Sequence, residues 1–268
     1  MKNINKRLRA VLFVLLCVPF CGAWTAAAEQ TETRYTGGEL ISTYASETIS
    51  YVSRELIDDL TTANNAPSYT AVGNLDNGCG AVAGSIIVGF YDKFYSNLIS
   101  GWDSYYTTGR YKGKDTVYVP ALMQDLFARM KTNQVQPGVS ENDFKNGLKA
   151  YVNNQGYNIN YTSLGSGNSF NYTAFKTAIK NNELTALLVQ PSNLYLLSLS
   201  SNEDVLTKTT ISGNHIMVAY GYYEVKYTLN NGTRTDKYLR VATGLASSST
   251  AFYKIGSYVD AAYTVKIS

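Results

Sequence analysis

The stretch that decides the fold reads Asn77-Gly78-Cys79-Gly80-Ala81-Val82-Ala83-Gly84-Ser85-Ile86-Ile87-Val88-Gly89-Phe90-Tyr91. It is apolar nearly all round, which is typical of a helix buried on every side. Its many small residues allow neighbouring backbones to approach closely. We therefore predict a buried helix that begins at or just before Cys79.

The segments after this helix predict an α+β fold with helices first and an antiparallel sheet second. Apolar residues at helical spacing predict helices over 119–131, 141–153 and 172–181. An Asn-Gly turn at 230–232 separates two alternating segments and predicts a hairpin. Strands are expected at 186–190, 211–223, 224–229, 236–242 and 261–267.

The region before the helix is polar and less regular. Ile49, Val52, Leu56 and Leu60 recur at helical spacing, so residues 47–60 are expected to form a helix. That helix could belong to a removable pro-segment or be the first packed element, and the sequence leaves both open. Residues 64–77 are rich in Asn, Gly, Pro and Asp and are predicted to be a loop.

The first 28 residues have the parts of a secretory signal in their usual order. A basic start precedes an apolar run from Ala10 to Trp24, and small residues follow at 25–28. The apolar run is too short for a spanning helix, and no later stretch is long enough. We expect a secreted protein that begins near Glu29, with a lead-in at 29–65 and one domain at 66–268.

Charge indicates no polyanionic partner. Without the first 28 residues, 19 basic and 20 acidic residues remain, so the net charge is close to zero. Neither a nucleic-acid footprint nor a basic membrane-binding face is expected. The sequence does not determine the oligomeric state.

The cysteine and histidine counts point to thiol chemistry. Two of the three cysteines lie in the signal segment, so Cys79 is the single thiol of the mature chain, and His215 is the only histidine. One Cys and one His cannot build a common zinc site, and the acidic residues form no calcium-loop pattern, so no metal or cofactor is expected. A lone Cys in an exported protein is either a reactive thiol or an ordinary buried one.

The predicted positions are the ones that Cys-His chemistry needs, and from the residues alone the reactive and the structural readings both stay open. A thiol at a helix N-terminus has its pKa lowered by the helix dipole and by a neighbouring imidazolium. The free N–H groups at that helix start can bind the oxyanion that forms when a carbonyl is attacked. His215 opens an apolar strand after Gly213-Asn214, where it can face the helix start across a cleft.

Several segments resemble one known family in order and spacing. They are Asn77–Ala83 with Gly89–Asp92, then Asp143–Leu148 to Tyr157, Phe175–Ile179, and most closely His215–Tyr222. Over roughly residues 66–268 the chain resembles the C39-like branch of the papain-fold cysteine peptidases. The resemblance implies hydrolysis of peptide bonds in a peptide or protein substrate, with Cys79 as nucleophile and His215 as general base.

The chain departs from that family at two positions. Papain-like enzymes carry a Gln shortly before the nucleophile, whereas this sequence offers Asn74 as an oxyanion donor and Asn77 as a weaker substitute. The family's Asn or Asp that orients the histidine is matched by Thr243, whose hydroxyl can accept from the ring N–H. A hydroxyl stabilises an imidazolium less than a carboxylate does, which puts turnover in doubt.

Two other functions therefore stay open. One is a papain-like binding or interaction protein that performs no turnover. The other is a cell-wall amidase or endopeptidase with the same Cys-His chemistry, although such enzymes generally have Cys and His closer together in sequence than residues 79 and 215.

Overall fold

The fold is taken from a computed structural model, which describes residues 32–63, 65–73, 75–95, 97–101, 117–246 and 249–268, with only the backbone described at 42–44. Residues Thr33–Ser268 form one compact unit. The expected signal segment at 1–28 and the candidate oxyanion residue Asn74 lie outside the described residues. None of the described helices is long and apolar enough to cross a membrane.

The α+β class is confirmed. The described residues contain four α-helices, all within the predicted ranges to within a few residues: α1 (Cys79–Tyr91), α2 (Tyr118–Arg129), α3 (Glu141–Asn154) and α4 (Tyr172–Lys180). Side chains cap two of them at the N-terminus, because Ser140 accepts from the N–H of Asp143 and Asn171 accepts from that of Ala174. The first residue of α1 has no such side-chain cap among the described residues.

Strands make up most of the remainder. They are β1 (Arg34–Tyr35), β2 (Leu40–Ser50), β3 (Ser53–Thr61), β4 (Val139–Ser140), β5 (Ile159–Gly167), β6 (Leu184–Val189), β7 (Ser192–Leu199), β8 (Glu203–Ile211), β9 (His215–Leu229), β10 (Gly232–Ala242), β11 (Thr250–Lys254) and β12 (Val259–Ile267). Within the described residues, β1 pairs with β4, and the other ten strands form one sheet in the order β2-β8-β7-β11-β10-β9-β6-β12-β5, with β3 paired to β9. All these pairings are antiparallel.

The predicted hairpin is present, with Leu229 paired to Gly232 at the turn. The single strand predicted over 211–223 is wrong at its start. Ile211 ends β8, and a short turn separates it from β9, which begins at His215. The sequence reading also did not identify β5, β7, β8 and β11, whose faces are only partly buried and therefore lack a long apolar run.

The helix predicted over 47–60 is wrong. This segment forms the end of β2 and nearly all of β3, and only Ile49 of its four spaced apolar residues is buried. The spacing does not mark a buried helical face, because Val52, Leu56 and Leu60 are 68%, 55% and 36% exposed. Pairing with β8 and β9 supplies the backbone hydrogen bonds instead, so tertiary structure overrides the local pattern.

Close packing around Met130 fixes α1 against its neighbours. Met130 follows the end of α2 and is fully buried. A Cβ added at Gly80 or Gly84 of α1 would lie 3.5 or 3.0 Å from atoms of the Met130 side chain, and one added at Gly147 of α3 would lie 2.7 Å from the Met130 backbone nitrogen. The glycines on both helices thus make room for one side chain, and this packing holds the first turn of α1 in place.

Candidate active site

Cys79 is the first residue of α1, as the sequence predicted. The first intrahelical bond runs from the N–H of Val82 to the carbonyl of Gly78, so the preceding N–H groups of the helix start lie outside the ladder. Burial raises the pKa of the Cys79 thiol to about 12, while the backbone N–H groups of Ile216, Gly80 and Cys79 oppose that rise. The backbone donors thus favour the thiolate, whereas burial disfavours it and has the larger effect on the pKa.

His215 is the first residue of β9 and pairs with Val189 of β6. Its Nε2 lies 2.6 Å from the carbonyl oxygen of Thr243. Because a carbonyl only accepts, Nε2 carries the proton, and Nδ1 of the neutral ring is left with a lone pair. Nδ1 is buried and has no hydrogen-bond partner within the described part of the chain.

Burial also lowers the pKa of His215, and the carbonyls of Thr243 and Gly37 partly oppose that effect. The lone pair on Nδ1 of this imidazole can accept a proton from a nearby acid. The pKa shifts of both groups favour their neutral forms, the uncharged imidazole and the thiol.

Cys79 and His215 border the same cavity, which has a volume of about 630 Å³. The cavity wall is formed by Thr36–Glu39, Ala71, Leu75–Cys79, Val82, Ser212, His215, Gly244 and Leu245. The thiol also approaches the N–H of Ile216, the residue next to His215, so the two elements meet at this cavity. The described residues contain no group of three or more His, Cys, Asp or Glu side chains placed to hold a metal ion.

Thr243 holds the ring by its backbone and not by its hydroxyl. The carbonyl accepts from His215, while the hydroxyl accepts from the N–H of Leu245 at 3.0 Å. The register of β10 on β9 shifts by one residue between Arg240 and Val241, shortly before the chain reaches Thr243. Because a backbone atom orients the ring, the missing Asn or Asp side chain does not leave the imidazole without an orienting partner.

Asn77, the weaker of the two oxyanion candidates, is engaged elsewhere. Its side-chain N–H donates to Oδ1 of Asn133 at 3.0 Å. Asn77 lines the cavity, whereas Asn133, the acceptor of this bond, is not among the lining residues. Among the described residues, the backbone N–H groups at the start of α1 are the better oxyanion donors.

Sequence reasoning missed the segment from Thr36 to Glu39, which forms one side of the cavity. The signal that could have identified it is the Gly37-Gly38 pair within an otherwise polar stretch. Both glycines have positive φ, +96° and +52°, a conformation that side chains disfavour.

The lowered pKa of His215 predicts a loss of stability in mild acid. The unfolded chain takes up a proton on this histidine below pH ~6.5, whereas the folded chain resists protonation, so the free energy of unfolding should fall as the pH drops below ~6.5. Urea denaturation at several pH values would measure this. Because His215 is the only histidine, His215→Gln should flatten the profile in this window, and an identical slope in both proteins would contradict the prediction.

Comparisons with known protein families, with curated proteins and with solved structures found no match for this chain. The resemblance to the C39-like branch of the papain fold therefore stays a prediction. A function can therefore be inferred only from the residues and contacts of the site itself.

Proposed function

We propose that this chain is an exported cysteine peptidase that hydrolyses peptide bonds through an acyl-thioester on Cys79, with His215 as general base. The observation that carries the proposal is the meeting of the only described cysteine and the only histidine at one cavity, with Nδ1 of that histidine buried and unbonded. Nucleophile and base on rigid elements, with the base oriented by a third group, is the arrangement that thiol catalysis requires.

In the proposed reaction, Nδ1 of His215 takes the proton of the Cys79 thiol, and the sulfur attacks the substrate carbonyl. This step requires Sγ and Nδ1 to come within hydrogen-bond reach. The N–H groups at the start of α1 bind the oxyanion. The imidazolium then protonates the leaving amine, and water hydrolyses the thioester to release the acid and the free thiol.

The Thr243 carbonyl contributes to this reaction in two ways. It fixes the tautomer that leaves Nδ1 free to accept, and its negative end stabilises the imidazolium that forms. A neutral carbonyl stabilises that cation less than a carboxylate would. We therefore expect a modest turnover rate compared with enzymes that use an acidic third residue.

A second function is supported by a separate observation. Burial raises the pKa of the thiol and lowers that of the imidazole, which favours two neutral groups over a preformed thiolate–imidazolium pair. This is what a papain-like binding protein without turnover would show. The cell-wall amidase shares the proposed chemistry and differs in substrate alone.

Alkylation of Cys79 by iodoacetamide separates the first two functions. If His215 activates the thiol, the wild-type rate near pH 7 should exceed that of His215→Gln at least about tenfold, because general-base assistance is commonly worth more than that. Gln preserves an N–H donor for the Thr243 carbonyl but cannot take up the proton. Equal rates in both proteins between pH 5 and 9, in the native chain and again in a Gly38→Ala background that loosens the segment lying against Cys79, would exclude His215 as the base and favour the binding protein.

A further inference from the structure

The segment Thr36–Glu39, here called the strap, is bonded to the residue that precedes the candidate base. The backbone N–H groups of Thr36 and Gly37 both donate to the carbonyl of Asn214, at 3.1 and 3.0 Å. The side chain of Asn214 donates in turn to the carbonyl of Arg34 at 3.0 Å. The strap therefore occupies the Asn214 carbonyl, the backbone acceptor directly before His215.

The strap also lies directly against the candidate nucleophile. A Cβ built on Gly37 would lie 3.6 Å from Cβ of Cys79 and 4.0 Å from its backbone nitrogen. The carbonyl of Gly37 is close enough to the His215 ring to raise its pKa, although Nδ1 makes no hydrogen bond of ordinary geometry. With the strap in place, Cys79 is 6% exposed and His215 is 1% exposed.

The backbone of the strap requires glycine at position 38, because a larger residue would collide with the neighbouring backbone. A Cβ on Gly38 would lie 2.6 Å from the backbone nitrogen of Gly213, closer than nonbonded atoms approach each other. Just after the glycine pair, the N–H of Glu39 donates to the Ser212 hydroxyl and the carbonyl of Glu39 accepts from the Ser212 N–H, both at 2.9 Å. The strap is thus held along its length by the Ser212–Asn214 turn.

The two ends of the strap are anchored very differently. Upstream, the backbone is anchored by the two-residue pairing of β1 with β4 and by the guanidinium of Arg34, which donates to the carbonyls of Pro137 and Gly138 at 3.3 and 2.7 Å. One core side chain adds to this anchor, because Tyr35 is 2% exposed and its hydroxyl donates to Oδ2 of Asp260 at 3.3 Å. Downstream, the chain enters β2 and then β3, which pair along most of their length with β8 and β9. Residues 40–61 are thus part of the main sheet through two long strands, whereas the upstream end is held by one two-residue pairing and one buried side chain, Tyr35. The upstream end is therefore the one that can detach at lower cost, and its detachment withdraws Tyr35 from the core.

We propose that the strap is an intramolecular plug of the Cys79–His215 site, and that displacement of residues 33–39 opens the site while β2 and β3 stay in the sheet. The role of the opened site follows from the proposed peptidase function. Whether the strap blocks access of reagents to the Cys79 thiol can be tested separately from that function.

The structure suggests two variants of the full chain that loosen the strap by different means. Gly38→Ala forces the strap and Gly213 apart, and Arg34→Ala removes the guanidinium that ties β1 to the 137–138 backbone. Gly256→Ala is the control for placing alanine at a positive φ, because Gly256 has a φ of +101°, against +52° at Gly38, and no neighbouring atom within 4 Å of the added Cβ. All three variants are first shown to be folded by cooperative thermal unfolding.

The readout is the rate of Cys79 alkylation by iodoacetamide, followed by mass spectrometry. We expect both strap variants to react at least about tenfold faster than the wild type, and the control to react at the wild-type rate, because burial limits reagent access. Equal rates in all four proteins would overturn the plug. If Gly38→Ala does not fold, Arg34→Ala alone decides the outcome.

Peptide hydrolysis, measured in parallel, distinguishes failure of the plug from failure of the peptidase function. Faster alkylation without hydrolysis would support the plug and contradict the peptidase. Hydrolysis by the wild type that depends on Cys79, with no change in alkylation on loosening the strap, would support the peptidase and contradict the plug.

Discussion

Replacing Cys79 with serine should reduce peptide hydrolysis by about 10⁴-fold or more, because the removal of a catalytic nucleophile typically costs this much. A serine hydroxyl is a far weaker acid than a thiol, and a neutral imidazole oriented by a carbonyl cannot compensate for that difference. Digestion of casein or of a peptide library, followed by mass spectrometry, would measure the loss. The comparison is best made both with the native strap and in the Gly38→Ala background, so that a closed site does not mask activity.

The control is the double variant Cys79→Ser, His215→Gln. If the two residues act as one unit, the double variant should be no less active than Cys79→Ser alone, because effects within one catalytic unit are not additive. Hydrolysis that survives in Cys79→Ser would show that another site cleaves the substrate. Absence of hydrolysis in every protein, including the strap variants, would favour the binding protein.

Replacing Gly147 with alanine should lower the free energy of unfolding by about 2 kcal/mol, since overpacking a filled core costs more than the gain in helix propensity from glycine to alanine. The new Cβ would lie 2.6 Å from Cγ and 2.7 Å from the backbone nitrogen of Met130. Because a backbone atom is involved, a rotamer change does not relieve the contact, and α3 has to move away from the end of α2. Urea denaturation followed by circular dichroism would measure the change.

Asn146→Ala is the matched control for this prediction, since residue 146 is the exposed neighbour on the same helix. Its unfolding free energy should change by no more than ~0.5 kcal/mol. The Met130 side chain also contacts the positions of Gly80 and Gly84, so Gly147→Ala should disturb the start of α1 as well. An unchanged midpoint in Gly147→Ala would contradict the close packing of the three helices around Met130.

The long apolar patterns of this chain could be predicted, and the half-buried strands could not. The run from Cys79 to Tyr91 is buried at every position, so its composition by itself predicts a buried helix. The Asn-Gly turn at 230–232 likewise predicts its hairpin from neighbouring residues alone. By contrast, β3 is largely exposed and is held by pairing with β9, a partner more than 150 residues away. Local spacing carries no information about such a partner, which is why the apolar spacing of residues 47–60 predicts a helix where the chain forms strands.

The candidate site divides in the same way. The positions of Cys79 at a helix start and of His215 at a strand start could be read from the sequence, because each follows from the apolar segment that it begins. The identity of the atom that orients the imidazole could not be predicted from the sequence. A backbone carbonyl is present at every residue, so nothing in the sequence marks the one at Thr243 as the partner of Nε2.

By itself, the sequence determined the α+β class, the buried α1 helix and the lone Cys and His at the starts of their elements. It did so because burial and turn formation act over a few neighbouring residues. Only the tertiary structure decided that these two residues meet at one cavity, that a carbonyl holds the ring, and that the strap lies against Cys79. Those contacts join residues far apart in the chain, and they form only when α1, β9 and β10 take their places in the folded domain.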